Sequence, residues 1–203
     1  MARIEILTEE QSMCDVLKII LPKILPEKWI LEQNYFIRPH NGKSDLQRSI
    51  PKKIKVFSNY HEPAGVVIVH DQDSHDCKEL KNKLLALCKT NVEEPCPILI
   101  RIACRELEAW YLGDMHAIQS AYPKFKAEKY AKKKTFRNPD NLNNATEELE
   151  KILPDFQKGA SARAIAPYLD TNIENNESES YRQFINGIVA FFQKFEKPYA
   201  IIS

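Results

Sequence analysis

Two rhythms of apolar and polar residues share the first 122 positions of this chain, and their alternation predicts an α/β protein. Short apolar, β-branched runs read as strands: Arg3–Leu7 (RIEIL), Asn34–His40 (NYFIRPH), Gly65–His70 (GVVIVH) and Ile98–Cys104 (ILIRIAC). GVVIVH is apolar almost throughout, as expected of a strand buried on both faces. Helical spacing fills the intervals. Met13, Val16, Leu17, Ile20 and Leu21 follow an i, i+3, i+4 pattern until Pro22, which should kink or end the helix. A second helix should begin with Ser44 as its cap and be interrupted at Pro51. Leu80, Leu84, Leu85 and Cys88 lie along one side of a third over residues 74–90, and RELEAWYLGDMHAIQSAY reads as a fourth. Repeated strand–helix alternation implies βαβ crossovers, and so a mostly parallel sheet flanked by helices.

The pattern changes after Tyr122. Polar and basic helix-like segments, a turn at RNPDN and the loop DTNIENNESES follow, and only the final YAIIS suggests another strand. Residues 1–122 are therefore expected to form the α/β core, and residues 123–203 a helical C-terminal extension packed on it.

Composition narrows the class without naming a chemistry. Apolar residues make up 43% and charged residues 28% of 203 positions, an ordinary globular balance. No apolar run approaches the roughly 20 residues of a membrane-spanning helix, and the acids behind the first apolar run do not suit a signal peptide. Five cysteines without a CxxC pair read as free thiols, which points to the cytoplasm. A net charge of +1 neither indicates nor excludes a nucleic-acid partner. Locally, KFKAEKYAKKKTFR carries seven basic residues against one acid; it could contact phosphates or form a solvated helix face.

Candidate chemistry begins where GVVIVH runs into DQDSHD. Asp71, Asp73 and Asp76 fall within six residues, and their mutual repulsion needs a cation or a proton to offset it. In open parallel sheets, ligands bind beyond the carboxyl ends of the strands. Glu9 and Glu10 follow the first strand, and Arg105, Glu106 and Glu108 follow the fourth, so acids distant in sequence should gather along one edge. Asp71 and Asp73, about 6–7 Å apart in extended backbone, could share Mg²⁺, which takes a few carboxylates together with water and phosphate oxygens. Alternatively, Asp73 or Ser74 caps the next helix. Glu106 and Glu108 lie about 200° apart around a helix, so only one of them should face such a site. NGKSDLQ lacks the upstream glycine of a P-loop, leaving Lys43 as a phosphate contact, a partner for the acidic edge or a solvated turn lysine. Arg163 either docks its helix or contacts a phosphate.

The blocks GKSDL, HDQDSHDCKELKNKL, RIACRELEAWYLGD and ARAIAPYLD, in this order, resemble the DUF4276 family of Toprim-like bacterial proteins. EILTEE and VIVHDQD resemble the Toprim pattern of a glutamate after the first strand and Asp-x-Asp after a later one. The resemblance implies a Toprim-like fold and a Mg²⁺- or Mn²⁺-dependent nuclease cleaving DNA or RNA. It also implies work with a partner ATPase in defence against phage. By the same resemblance Glu9 acts as general acid/base or metal support, and Asp71 and Asp73 hold the metal; apart from the resemblance, Glu106 could join the metal site if it belongs to the strand–helix turn. Lys43, Arg105 and Arg163 become candidate phosphate contacts, and Glu10, Asp76 and Glu108 secondary candidates. Toprim proteins commonly carry glycine where this chain has Glu10. A non-catalytic binding module and a phosphatase of small esters are the competing expectations.

Overall fold

The computed structural model describes residues 2–73 and 75–196, so the strand suggested at YAIIS and a cap at Ser74 lie outside the described residues. Strands β1 (Arg3–Thr8), β2 (Tyr35–Pro39), β3 (Ala64–Asp71) and β4 (Ile98–Ala103) alternate with helices α1 (Gln11–Ile24), α2 (Lys43–Ser58) and α3 (Cys77–Cys88). They form one sheet in the order β2-β1-β3-β4, parallel throughout. Helices α4 (Glu108–Leu112), α5 (Met115–Ala121), α6 (Ala127–Ala131), α7 (Ala145–Ile152), α8 (Lys158–Ile165) and α9 (Glu179–Gln193) follow, with short 3₁₀ turns between some of them. The chain is therefore an α/β protein with a helical C-terminal part.

Successive side chains of a strand point to opposite faces, so each strand serves two cores. Leu7, Val66, Ile68 and Ile100 meet Leu46, Ile50 and Ile54 of α2 and Leu80 and Leu84 of α3. On the other face Ile4, Ile6, Val67 and Val69 share a larger core with α1 and with Trp110, Ile165, Phe184 and Phe192. The residues after Tyr122 thus complete one side of the sheet. Gly65 permits the close approach of α9: a Cβ there would lie 2.9 Å from the Phe191 ring. All five cysteines are free thiols.

Three local expectations are corrected. Helix α2 starts from Gly42 rather than Ser44, because Gly42 adopts φ 84° and turns the chain two residues earlier. Pro51 lies inside α2 without ending it; burial of Leu46, Ile50 and Ile54 holds the helix together across the missing hydrogen bond. The single helix expected over residues 105–122 is broken, since Asp114 accepts from Ala117 N (2.9 Å) and starts α5 afresh.

That break is tied to the loop before α9. Glu177 N donates to Gly113 O (2.9 Å), and buried Asn176 spans Trp110 O (3.0 Å) and Ser178 N (2.9 Å). A Cβ on Gly113 would collide with the Asn176 amide and sit 2.8 Å from Ser178 N. Gly113→Ala should therefore carry an overpacking cost of about 1–3 kcal/mol, each kcal/mol lowering Tm by about 2–4 °C in a chain of this size. Differential scanning fluorimetry checks it, and an unchanged melt would mean that the loop yields freely.

Candidate active site at the carboxyl edge of the sheet

The four parallel strands end on one edge, and hydrogen bonds fix how each exit turns. Thr8 O accepts from His40 N (3.1 Å), and Glu9 O accepts from Gly42 N (3.0 Å), which binds the exits of β1 and β2 together. The turn at Gly42 brings Lys43 to the edge, with its Nζ 2.9 Å from Asp73 Oδ2. In β3, alternation sends His70 toward α2 and Asp71 to the opposite face. Buried His70 places Nδ1 2.6 Å from Asp71 O and 3.1 Å from Glu9 Oε2, while Nε2 lies 3.0 Å from Gln47 Nε2. Both neighbours of Nδ1 are acceptors, so Nδ1 carries a hydrogen that it donates toward Asp71 O and Glu9 Oε2. Glu9 Oε2 also accepts from Asp71 N (3.3 Å). The glutamate after β1 and the aspartate closing β3 are thus locked side by side.

The loops after β3 and β4 interlock just beyond. Gln72 N donates to Ala103 O (2.9 Å), Asp73 N to Arg105 O (2.9 Å), and Arg105 N to Gln72 Oε1 (3.0 Å). Asp73 (φ 53°) and Arg105 (φ 64°) both take left-handed backbone, which non-glycine residues hold only when their surroundings enforce it. The turn at Arg105 delays helix α4 until Glu108. Glu108 is fully buried, and neither carboxylate oxygen has a hydrogen-bond partner. One turn later, the buried Tyr111 hydroxyl is likewise unpartnered.

Burial and like charge act together on these groups. Burial raises the Asp71 pKa well above its ordinary value, and Glu108 and Glu9 raise it further. Burial also raises Glu9, with His70 opposing, and raises Glu108, with Lys158 opposing. Lys158, at the start of α8, reaches Glu10 Oε2 at 2.7 Å. Burial works against its charge, but Glu10, Glu108 and Asp71 outweigh that and raise its pKa. Three carboxyl groups in a partly desolvated setting, with one lysine beside them, form a centre of oxygen donors whose ionisation calls for an offsetting positive charge.

The sequence candidates divide by position. Glu9, Asp71 and Asp73 share this edge, with Lys43 on Asp73. Glu10 is held by Lys158. Glu106 turns away to accept from Thr146 N and Oγ1 (2.9 Å each) at the start of α7, so Glu108 is the acid beside Asp71. Asp76 caps α3, accepting from Lys78 N (2.8 Å) and Glu79 N (3.0 Å). Arg163 docks α8 on α1 through Asp15 (2.7 Å), and Arg105 lines a separate cleft. The basic run folds as α6 and a 3₁₀ turn, with Phe125 and Phe136 buried and its lysines mostly exposed. Sequence reasoning missed Lys158 and Tyr111. Tyr111 carries an i, i+3 signal from Glu108, whereas Lys158 carries none, being distant along the chain.

Among the described residues, no three His, Cys, Asp or Glu side chains already converge as a metal cage. The chemistry of the donors nonetheless fits a hard cation: Glu9, Asp71 and Glu108 are carboxylates, and both Glu108 oxygens are free to ligate. No described helix is long and apolar enough to cross a membrane.

Comparison with known proteins gives a family and no activity. No curated protein matches the chain, and no solved structure does. A family described as "Domain of unknown function (DUF4276)" matches residues 8–189, which include every strand end that builds the acidic edge. The chain belongs to the DUF4276 family.

Proposed function

We propose that this chain is a Mg²⁺- or Mn²⁺-dependent hydrolase of nucleic-acid phosphodiesters, with its centre at Glu9, Asp71 and Glu108. The observation that carries the reading is Glu108, a fully buried carboxylate with both oxygens unpartnered, set beside Asp71 and Glu9 whose pKa values are also raised. A divalent ion held there would supply Lewis-acid stabilisation of the attacking and leaving oxygens. His70 orients Glu9 through Nδ1–H, and burial, which raises the Glu9 pKa, favours its protonated form and suits it to a proton-holding role. Lys43, ion-paired with Asp73 at this edge, can pair instead with a substrate phosphate. The glutamate after β1 and Asp-x-Asp after β3 support a Toprim-type arrangement. Glu10 in place of glycine does not weigh against it, since Glu10 takes extended backbone (φ −137°) that any residue adopts. We assign the protein to a reducing cytoplasm, and to phage defence with an ATPase, on the family resemblance and its free thiols.

One observation favours a non-catalytic binding module instead. Asp73 and Glu10 are already ion-paired with lysines, which lowers the demand for a metal. The test separates the two. The purified chain is incubated with labelled DNA and RNA in Mg²⁺, Mn²⁺ or EDTA, beside Asp71→Asn. Metal-dependent cleavage that the variant loses is the expected result. Binding without cleavage points to the module, and turnover of p-nitrophenyl phosphate alone points to a phosphatase. A metal that binds only the folded state should stabilise it by about 2.7 kcal/mol at a hundredfold excess over its Kd. No thermal shift at millimolar Mg²⁺ with oligonucleotide present would sink the metal site.

A further inference from the structure

A cleft of about 550 Å³ opens on the β4 side of the sheet, between the start of α3, β4, the Asn138–Asn141 turn and the start of α9. Four cations line it: Lys78, Lys81, Arg101 and Arg105. Two acids, Asp140 and Glu179, also line it, but among the described residues neither is ion-paired with any of the four. Asp140 is taken up by Ser178 Oγ (2.7 Å), Ser180 N (2.6 Å) and Ser180 Oγ (3.1 Å), and Glu179 by Arg182 and Gln183. Arg101 is built into the wall. The bare Cα of Gly187 leaves room for its guanidinium against α9, its Nε is buried without a partner, and Nη1 reaches only Ile100 O at 3.3 Å. Burial alone lowers the Arg101 pKa, so the group lacks the anion that would offset its desolvation. Gln72 and Arg105 join the cleft to the acidic edge, because Arg105 N donates to Gln72 Oε1 and Arg105 O accepts from Asp73 N.

We propose that this cleft holds the phosphate backbone of a nucleic-acid strand flanking the reactive phosphodiester, with Lys78, Lys81, Arg101 and Arg105 as its phosphate contacts. The inference rests on the hydrolase reading for what the bound strand is for, but not for the binding itself. An enzyme acting on a long polyanion needs contacts beyond its reacting centre, and a centre lined with carboxylates repels the backbone unless cations elsewhere hold it. Three sides of the cleft come from the sheet and its flanking helices, which fixes the cations relative to Asp71.

The test is metal-free binding of a fluorescent single-stranded oligonucleotide, followed by anisotropy across a salt series in EDTA. Lys78 and Lys81 are exposed on α3, so Lys78→Ala/Lys81→Ala should fold normally, as circular dichroism will verify. Two lost phosphate contacts should weaken binding by about tenfold or more at low salt and reduce the log–log salt slope by about 1.4. Lys132→Ala/Lys133→Ala in the exposed basic run should leave both quantities unchanged. An unchanged slope in the α3 variant, a loss confined to the basic-run variant, or no binding by the native chain overturns the cleft. Loss of binding in the α3 variant of a protein that never cleaves retains the cleft and removes the hydrolase.

Discussion

Glu108→Gln is expected to make the metal-free protein more stable at neutral pH while reducing metal-dependent cleavage about 100-fold or more. The native side chain is fully buried and has no hydrogen bond to either oxygen. Leaving such a group unsatisfied costs about 1–3 kcal/mol, and the charge it shares the site with adds to that. An amide of the same shape removes the charge, so a gain of about 2 kcal/mol should raise Tm by roughly 4–8 °C. Stabilisation coupled to lost function marks a residue kept for what it does rather than for folding. A structural Glu108 would give the opposite result, with Gln lowering Tm and leaving activity alone.

The same groups fix how stability depends on pH. Asp71, Glu9 and Glu108 titrate in the unfolded chain near their ordinary values, 3.8 for the aspartate and 4.5 for the glutamates, and higher in the folded chain. As pH rises through the ordinary carboxylate range, the unfolded chain releases protons that the folded chain keeps. Their contribution to stability is therefore complete below the unfolded pKa values and lost as pH climbs through the raised ones. Without metal, Tm should fall across this window. The fall should be shallower in Glu108→Gln and shallower again with Mg²⁺, which replaces the proton as the offsetting charge. Melting curves from pH 4 to 8 read all three, and parallel profiles for native and variant protein would remove Glu108 from the cluster.

Much of this edge was legible in the sequence because a parallel sheet collects the carboxyl ends of its strands on one side. Four β-branched runs were enough to place Glu9, Asp71 and Asp73 near one another. The choice between Glu106 and Glu108 was not legible, because it depends on where α4 begins. That start is set by the left-handed turn at Arg105 and by Thr146, which captures Glu106 from 40 residues away. Lys158 was invisible for a similar reason: its partner Glu10 is brought to it by the packing of α8 on α1. Asp76 rather than Asp73 caps α3, since Gln72 and Asp73 are consumed by the interlocked loop after β3. Pro51 misled because the cost of a proline is local, whereas the apolar face that overrides it spans the whole of α2.

Trp110→Ala should be the most destabilising substitution of the set, at about 3–5 kcal/mol. Trp110 is completely buried, with its ring 4.9 Å from Phe184 and 5.4 Å from Tyr181, and its Nε1–H donates to Ser180 Oγ at 3.0 Å. It therefore fastens α4, which carries Glu108, to α9, which covers the sheet and walls the cationic cleft. Truncation opens a large cavity and strands the Ser180–Asp140 hydrogen bonds at the start of α9. Trp110→Phe keeps most of the apolar volume and loses only the indole donor, so it should cost about 1–2 kcal/mol. Urea titration distinguishes the two by midpoint at an unchanged m value. If tryptophan served as an exposed stacking platform for bases, alanine would leave the midpoint in place and affect oligonucleotide binding alone.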